Sequence, residues 1–194
     1  MGALGQYLEL TKPRVVVLLQ ITALCAVLVH DMLDSGLSKT SGETMLIVFI
    51  GGYLSAGGAN AVNMWYDRDI DPQMSRTADR PIPAGTVSAN AALWFGIGLS
   101  VSGVAWFVLL ANQVAAFWSA FSILFYVFVY SIWLKRRTPQ NIVIGGIAGS
   151  TPPVIGWASA EGGLSLATDS LNSLIGSTLD LGSLMPWFMF LLIF

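Results

Sequence analysis

Asn63-Met64-Trp65-Tyr66-Asp67-Arg68-Asp69-Ile70-Asp71, with Met74, Arg76-Thr77 and Arg80-Pro81 just beyond it, gathers charge at the end of a membrane-length apolar segment. If the helix continues through it, Asn63, Asp67 and Asp71 fall at i, i+4 and i+8 and share one face, about 6 Å apart along the axis. Asp67, Asp69 and Asp71 are three of only eight aspartates in the chain. Carboxylates clustered at a membrane boundary repel one another unless something positive offsets them. Magnesium takes one or two carboxylates, keeps waters and fills its octahedron with phosphate oxygens. The pattern therefore suits a metal–diphosphate site with Asp67 and Asp71 as ligands and Asn63 as a neutral helper. On spacing alone a second reading stays open, a solvated acidic loop whose Arg68 and Arg76 form surface ion pairs.

Outward from that stretch the chain reads as membrane protein. Of its 194 residues 55% are apolar and 10% charged, and the mean hydropathy is +0.70, outside the range of ordinary soluble domains. Five apolar segments are long enough to span a bilayer: roughly Val15 to His30, Thr44 to Tyr66, Ala89 to Leu110, Val114 to Leu134 and Asn141 to Ala160. A sixth begins near Leu184 and is still apolar at Phe194. No cleavable signal peptide is expected, so the first span serves as its own insertion signal. Eight of the nine basic residues lie in alternate connections, with Lys39 as the exception. The positive-inside rule puts those connections, and the Asp-rich stretch, in the cytoplasm. Net charge is −2, which says little about partners, and no nucleic-acid partner is expected. Cys25 is the only cysteine, so no intrachain disulfide can form, and no Cys/His cluster suggests zinc.

Arg76 and Arg80 are four apart, and guanidinium groups suit bidentate contact with phosphate oxygens. Lys135 and Arg136, on the next inward connection, are candidates to close the same pocket. Trp65, Tyr66, Tyr126, Tyr130 and Trp133 read by default as an interfacial aromatic belt. As an alternative, their faces can stabilise an allylic cation and exclude water. His30 is expected at the outward interface, too distant to act at an inward site. The glycines of the second span, including Gly51-Gly52 and Gly57-Gly58, are assigned to close helix packing. Pro152-Pro153 is expected to kink the fifth span. Intramembrane carboxylates and proline-broken helices also mark transport pathways, which keeps a transporter as a competing reading.

Asn63-x3-Asp67-x3-Asp71 resembles the first Asp-rich motif of the UbiA superfamily of intramembrane prenyltransferases. Three further blocks resemble its haem-modifying branch: Leu10-Thr11-Lys12-Pro13-Arg14-Val15, Lys135-Arg136-x-Thr138-Pro139-Gln140-Asn141, and Pro152-Pro153-x-Ile155-Gly156-Trp157. The resemblance implies an all-α polytopic membrane protein, a UbiA-type bundle of about nine helices. Residues 1–194 would be a single transmembrane prenyltransferase domain, an N-terminal portion with five spans and part of a sixth. It further implies Mg²⁺ as cofactor, farnesyl diphosphate and haem B as substrates, and haem O as product, made for haem–copper oxidases in a bacterial inner membrane with the site towards the cytoplasm. Haem A synthase or oxidase-assembly proteins are the implied partners besides the lipid bilayer. An aromatic or quinone precursor is the alternative acceptor. The superfamily's second Asp-rich motif is not found, since Asp169 and Asp180 are isolated, so this stretch by itself is expected to be inactive. Residues 161–183 read as a polar insertion of no catalytic consequence.

Overall fold

Among the described residues, five helical stretches long and apolar enough to cross a membrane, with mean hydropathies of 1.2 to 2.1, make this a multi-pass membrane protein. The computed structural model describes residues 2–34 and 36–194. A short helix, α1 (Ala3–Leu10), leads into α2 (Pro13–Asp34) and α3 (Lys39–Tyr66). Two 3₁₀ turns, Asp67–Asp69 and Asp71–Gln73, and a turn-rich connection lead to α4 (Ala89–Leu110). Next come α5 (Gln113–Leu124), continued by π-helical turns over Phe125–Leu134, then α6 (Asn141–Ser150), α7 (Pro152–Glu161), α8 (Leu171–Leu179) and α9 (Met185–Ile193). The span edges agree with the sequence reading to within a few residues. The fifth span is indeed broken: α6 ends at Ser150 and α7 restarts at Pro152, whose ring and missing N–H forbid an uninterrupted helix.

Helix α3 runs through the centre, packing on α2, α4, α5 and α7. Its small residues let α4 approach to backbone contact. A methyl group added at Gly58 would lie 2.7 Å from the Gly96 carbonyl oxygen, and one at Gly96 would lie 3.0 Å from that of Gly58. Lipid tails are as apolar as the helices, so dispersion across such close crossings supplies much of the cohesion. At Gly156 of α7, an added Cβ would run into the Ala23 carbonyl of α2.

Two features at the end of the bundle away from Asp67 go beyond the sequence reading. His30 does not sit free at the interface: it is only 7% exposed. Its ring nitrogens bond Asp31 Oδ1 at 2.8 Å and Glu161 Oε2 at 2.9 Å, tying α2 to the end of α7. Residues 161–183 are no loose loop either. They contain α8, whose last carbonyls would be orphaned in an apolar setting. Three indole N–H groups satisfy that end: Trp118 donates to Thr178 O at 2.9 Å, Trp187 to Leu179 O at 3.2 Å and Trp157 to Leu181 O at 3.0 Å.

Gly156→Ala is expected to destabilise the α2–α7 contact by about 1–3 kcal/mol, because the rigid Ala23 carbonyl cannot yield. Gly98→Ala on α4, where an added Cβ meets nothing within 4 Å, is expected to be neutral or to stabilise by up to ~1 kcal/mol. Thermal unfolding of the two variants in detergent checks the contrast.

Candidate functional site

Helix α3 stops at Tyr66, which corrects the expected single helical face through Asp71. Pro72 lies in the second 3₁₀ turn, where it lacks a backbone donor. Both carboxylates nevertheless point inward, Asp67 at 0% exposed and Asp71 at 1%. The Asp71 backbone carbonyl accepts from the buried Thr77 hydroxyl at 2.8 Å, which pins the turn.

Each buried carboxylate has a cation. Arg80 Nη1 donates to both Asp71 oxygens at 2.9 Å, and Lys135, from the far end of the α5 span, pairs with Asp67 Oδ2. Among the described residues, Asp67 Oδ1 has no hydrogen-bond partner although it is buried. An orphaned carboxylate oxygen at that depth is costly and marks a place where a further positive group belongs. Asn63 is buried beside them. Its Oδ1 accepts from Lys12 Nζ at 2.8 Å, and its Nδ2 donates to Ser131 Oγ at 2.9 Å. Ser131 Oγ in turn donates to the Tyr126 carbonyl five residues back at 2.8 Å, a bond the π-helical turns permit.

Lys12 is the site residue that sequence reasoning missed, since it reads there as a topological charge and as part of the Leu10–Val15 block, with no role at the site. It occupies the corner between α1 and α2 at φ +52°, a left-handed conformation rare outside glycine. That strain places the ammonium against Asn63. Burial, reinforced by the charges of Arg80 and Lys135, pushes its pKa down to about 8 despite the opposing pull of Asp67 and Asp71. The available signal was Lys-Pro at a helix start, since the residue before proline is driven out of the helical region.

Lys12, Asn63, Asp71, Arg76, Arg80 and Lys135 line a cavity of about 940 Å³, to which the buried Asp67 is connected through its pair with Lys135. A second cavity of about 300 Å³ runs into the bundle and is lined largely by apolar and small residues of α2, α3, α5 and α6. The two share Val15, Asn60, Tyr126 and Tyr130. Tyr126 and Tyr130 stack at 5.2 Å between centroids, and the Tyr126 hydroxyl donates to Asn60 Oδ1 at 3.3 Å. The five candidate aromatics thus divide. Tyr126 and Tyr130 line both cavities, whereas Trp65 and Tyr66 stack under Arg68 and Arg136 and Trp133 is 54% exposed.

Asn63, Asp67, Asp71, Arg80 and Lys135 are brought together, and Arg76 reaches the cavity wall from an exposed position. Arg136 is turned away: it holds exposed Asp69 at 2.6 and 2.8 Å and the Tyr66 carbonyl at 3.0 Å. The surface ion pair of this region is therefore Arg136–Asp69, not one made by Arg68 or Arg76.

Fold and site together define an intramembrane helical bundle with a buried carboxylate–cation centre opening into an apolar channel. The chain belongs to the UbiA prenyltransferase family, whose sequence model matches residues 18–194. It is 54% identical over 164 residues to the protoheme IX farnesyltransferase of Jannaschia sp. (strain CCS1), covering 84% of this chain and 51% of that protein. It is 48% identical over 171 residues to the protoheme IX farnesyltransferase of Acidiphilium cryptum (strain JF-5), covering 88% and 52%. The chain spans about half the length of the curated relatives it matches. Among solved structures, one from work on the biosynthesis of digeranylgeranylglyceryl phosphate synthase in membranes superposes with a TM-score of 0.72. At 22% identity, covering 84% of this chain and 55% of that one, this likeness speaks for the fold alone.

Lys12 carries a pH signature. Below about pH 8 it is a cation in the free protein, and a bound anion favours that charged form. Pyrophosphate affinity is therefore expected to be highest below pH 8 and to fall as the pH rises through it. Lys12→Gln should remove that component, as read by calorimetric titration of both proteins across pH 6.5–9.5.

Proposed function

We propose that this chain forms part of an enzyme that transfers a farnesyl group from farnesyl diphosphate to a vinyl group of haem B, giving haem O for haem–copper oxidases. One observation carries the reading: a cationic, carboxylate-bearing cavity joined through Asn60, Tyr126 and Tyr130 to an apolar one. A diphosphate ester of an isoprenoid has the same two halves in the same order.

Asp67 and Asp71 fit Mg²⁺, with Asn63 as a neutral neighbour, because Asp67 Oδ1 is an orphaned acceptor and this metal needs few protein ligands when phosphate supplies the rest. Bound there, Mg²⁺ would neutralise the charge that accumulates on the departing diphosphate. Lys12, Arg80 and Lys135 surround the same space and would hold the phosphate oxygens, with Arg76 on the rim. Arg136 would act at one remove by keeping Asp69 away from the cavity. Tyr126 and Tyr130 would flank the allylic cation, stabilising it through their ring faces and keeping water out until the vinyl group has added. Water then completes the hydroxyethylfarnesyl side chain. The charge pattern of the connections supports a cytoplasmic site in a bacterial inner membrane, and haem A synthase or oxidase-assembly proteins are the partners such a product calls for.

Supplied with farnesyl diphosphate, Mg²⁺ and haem B, a form spanning the relatives' full length should convert haem to a product heavier by farnesyl plus hydroxyl, with pyrophosphate and a proton released. Unchanged haem beside a folded protein that binds farnesyl diphosphate would reject this acceptor. Asp67→Ala and Asp71→Ala should each lower turnover by ~10²-fold or more while the protein stays inserted. Arg80→Ala should weaken farnesyl diphosphate binding about tenfold and leave haem binding near its original value, since the guanidinium selects phosphate. Equal loss for both substrates, measured by separate titrations, would remove that role.

A further inference from the structure

The apolar cavity has a floor, and its position suggests what the floor does. The end nearest the polar site is Asn60, and the far end reaches Val48, both on the straight helix α3. The separation is about 18 Å at 1.5 Å per residue. Val48 (1% exposed), Phe107 (0%), Ala23 (5%) and Ile155 (8%) close that far end, and all four belong to one packed cluster. The Phe107 ring lies against the backbone of α3, where a methyl group added to Gly51 would meet it at 2.8 Å. Phe107 is thus held against α3 at the level of Gly51, in the same packed cluster as Val48. An extended farnesyl main chain measures about 15 Å at single bonds of ~1.5 Å, and one more isoprene unit adds about 5 Å. A channel of about 18 Å accommodates the ~15 Å of an extended farnesyl chain and falls short of the roughly 20 Å of a chain one isoprene unit longer.

We propose that Phe107 and Val48, on the floor of the apolar cavity, set the length of the isoprenoid the enzyme accepts. The inference rests on the prenyl-transfer reading above and adds the residues that choose among prenyl donors. Gly149 supplies an independent handle. It lines the same cavity from α6, and a Cβ placed on it meets nothing within 4 Å. A larger side chain there enters open space and shortens the channel without forcing the backbone.

The test compares kcat/KM for geranyl, farnesyl and geranylgeranyl diphosphates in the full-length protein with haem B as acceptor. The unmodified protein should prefer farnesyl. Phe107→Ala should raise the geranylgeranyl-to-farnesyl ratio about tenfold or more, and Gly149→Leu should raise the geranyl-to-farnesyl ratio by a similar factor, since a pocket discriminates about tenfold or more per unit of misfit. If Phe107→Ala fails to fold, Gly149→Leu still decides the matter, because it fills space rather than opening it. Unchanged ratios in a folded, active Gly149→Leu variant would overturn the proposal. Absence of prenyl transfer by the unmodified protein with every donor would instead overturn the underlying reading.

Discussion

Two carboxylates withdrawn from water at a membrane face constrain everything around them. Asp67 and Asp71 are fully buried, and a buried anion without a counter-charge would take up a proton or unfold its surroundings. Their cations have different origins: Arg80 comes from the same connection as Asp71, and Lys135 from the end of the α5 span, far along the chain from Asp67. Lys12 reaches the same group from the corner before α2, through Asn63. The site thus ties three separate stretches together at one end of the bundle. A buried pair of this kind is weak support for stability in its own right, and its retention argues for a task.

The geometry around the pair is supported by departures from regular helix. Helix α3 ends in 3₁₀ turns so that both aspartates turn inward. The α5 span relaxes into π-helical turns that let Ser131 back-bond to Tyr126 while accepting from Asn63. Lys12, driven out of the helical region by Pro13, adopts a left-handed backbone that brings its ammonium to Asn63. Irregular backbone at membrane depth is tolerated where protein or a lined cavity satisfies its polar groups, and all three irregularities border the same cavity. The regular helices, by contrast, meet through small residues and form the rigid wall of the apolar channel.

The end of the bundle away from the site is secured by different means. His30 between Asp31 and Glu161 fastens α2 to α7, and the indoles of Trp118, Trp157 and Trp187 cap the end of α8 and the residues after it. These contacts bring residues 161–183 down onto the bundle, with Leu181 buried in the main core cluster. A segment that reads as a polar insertion becomes part of the floor's support, because its carbonyls find donors on helices already in place.

Hydropathy sufficed for the five spans and their approximate edges, since twenty apolar residues in a row have few alternatives to a membrane helix. The Pro152 break and the packing role of the α3 glycines were legible for equally local reasons, a missing donor and a missing side chain. The Asp67 and Asp71 centre was visible as a charge anomaly in an apolar chain. Which cations serve it was not: Arg136 stood beside Lys135 in sequence yet turns to Asp69, and Lys12 was hidden among topological charges. Tyr126 and Tyr130 could not be told from Trp65 and Trp133, because composition places aromatics near an interface without saying which way they face. Partner choice, burial and the joining of two cavities depend on how helices far apart in the chain rotate against one another. Only the packed bundle determines that rotation.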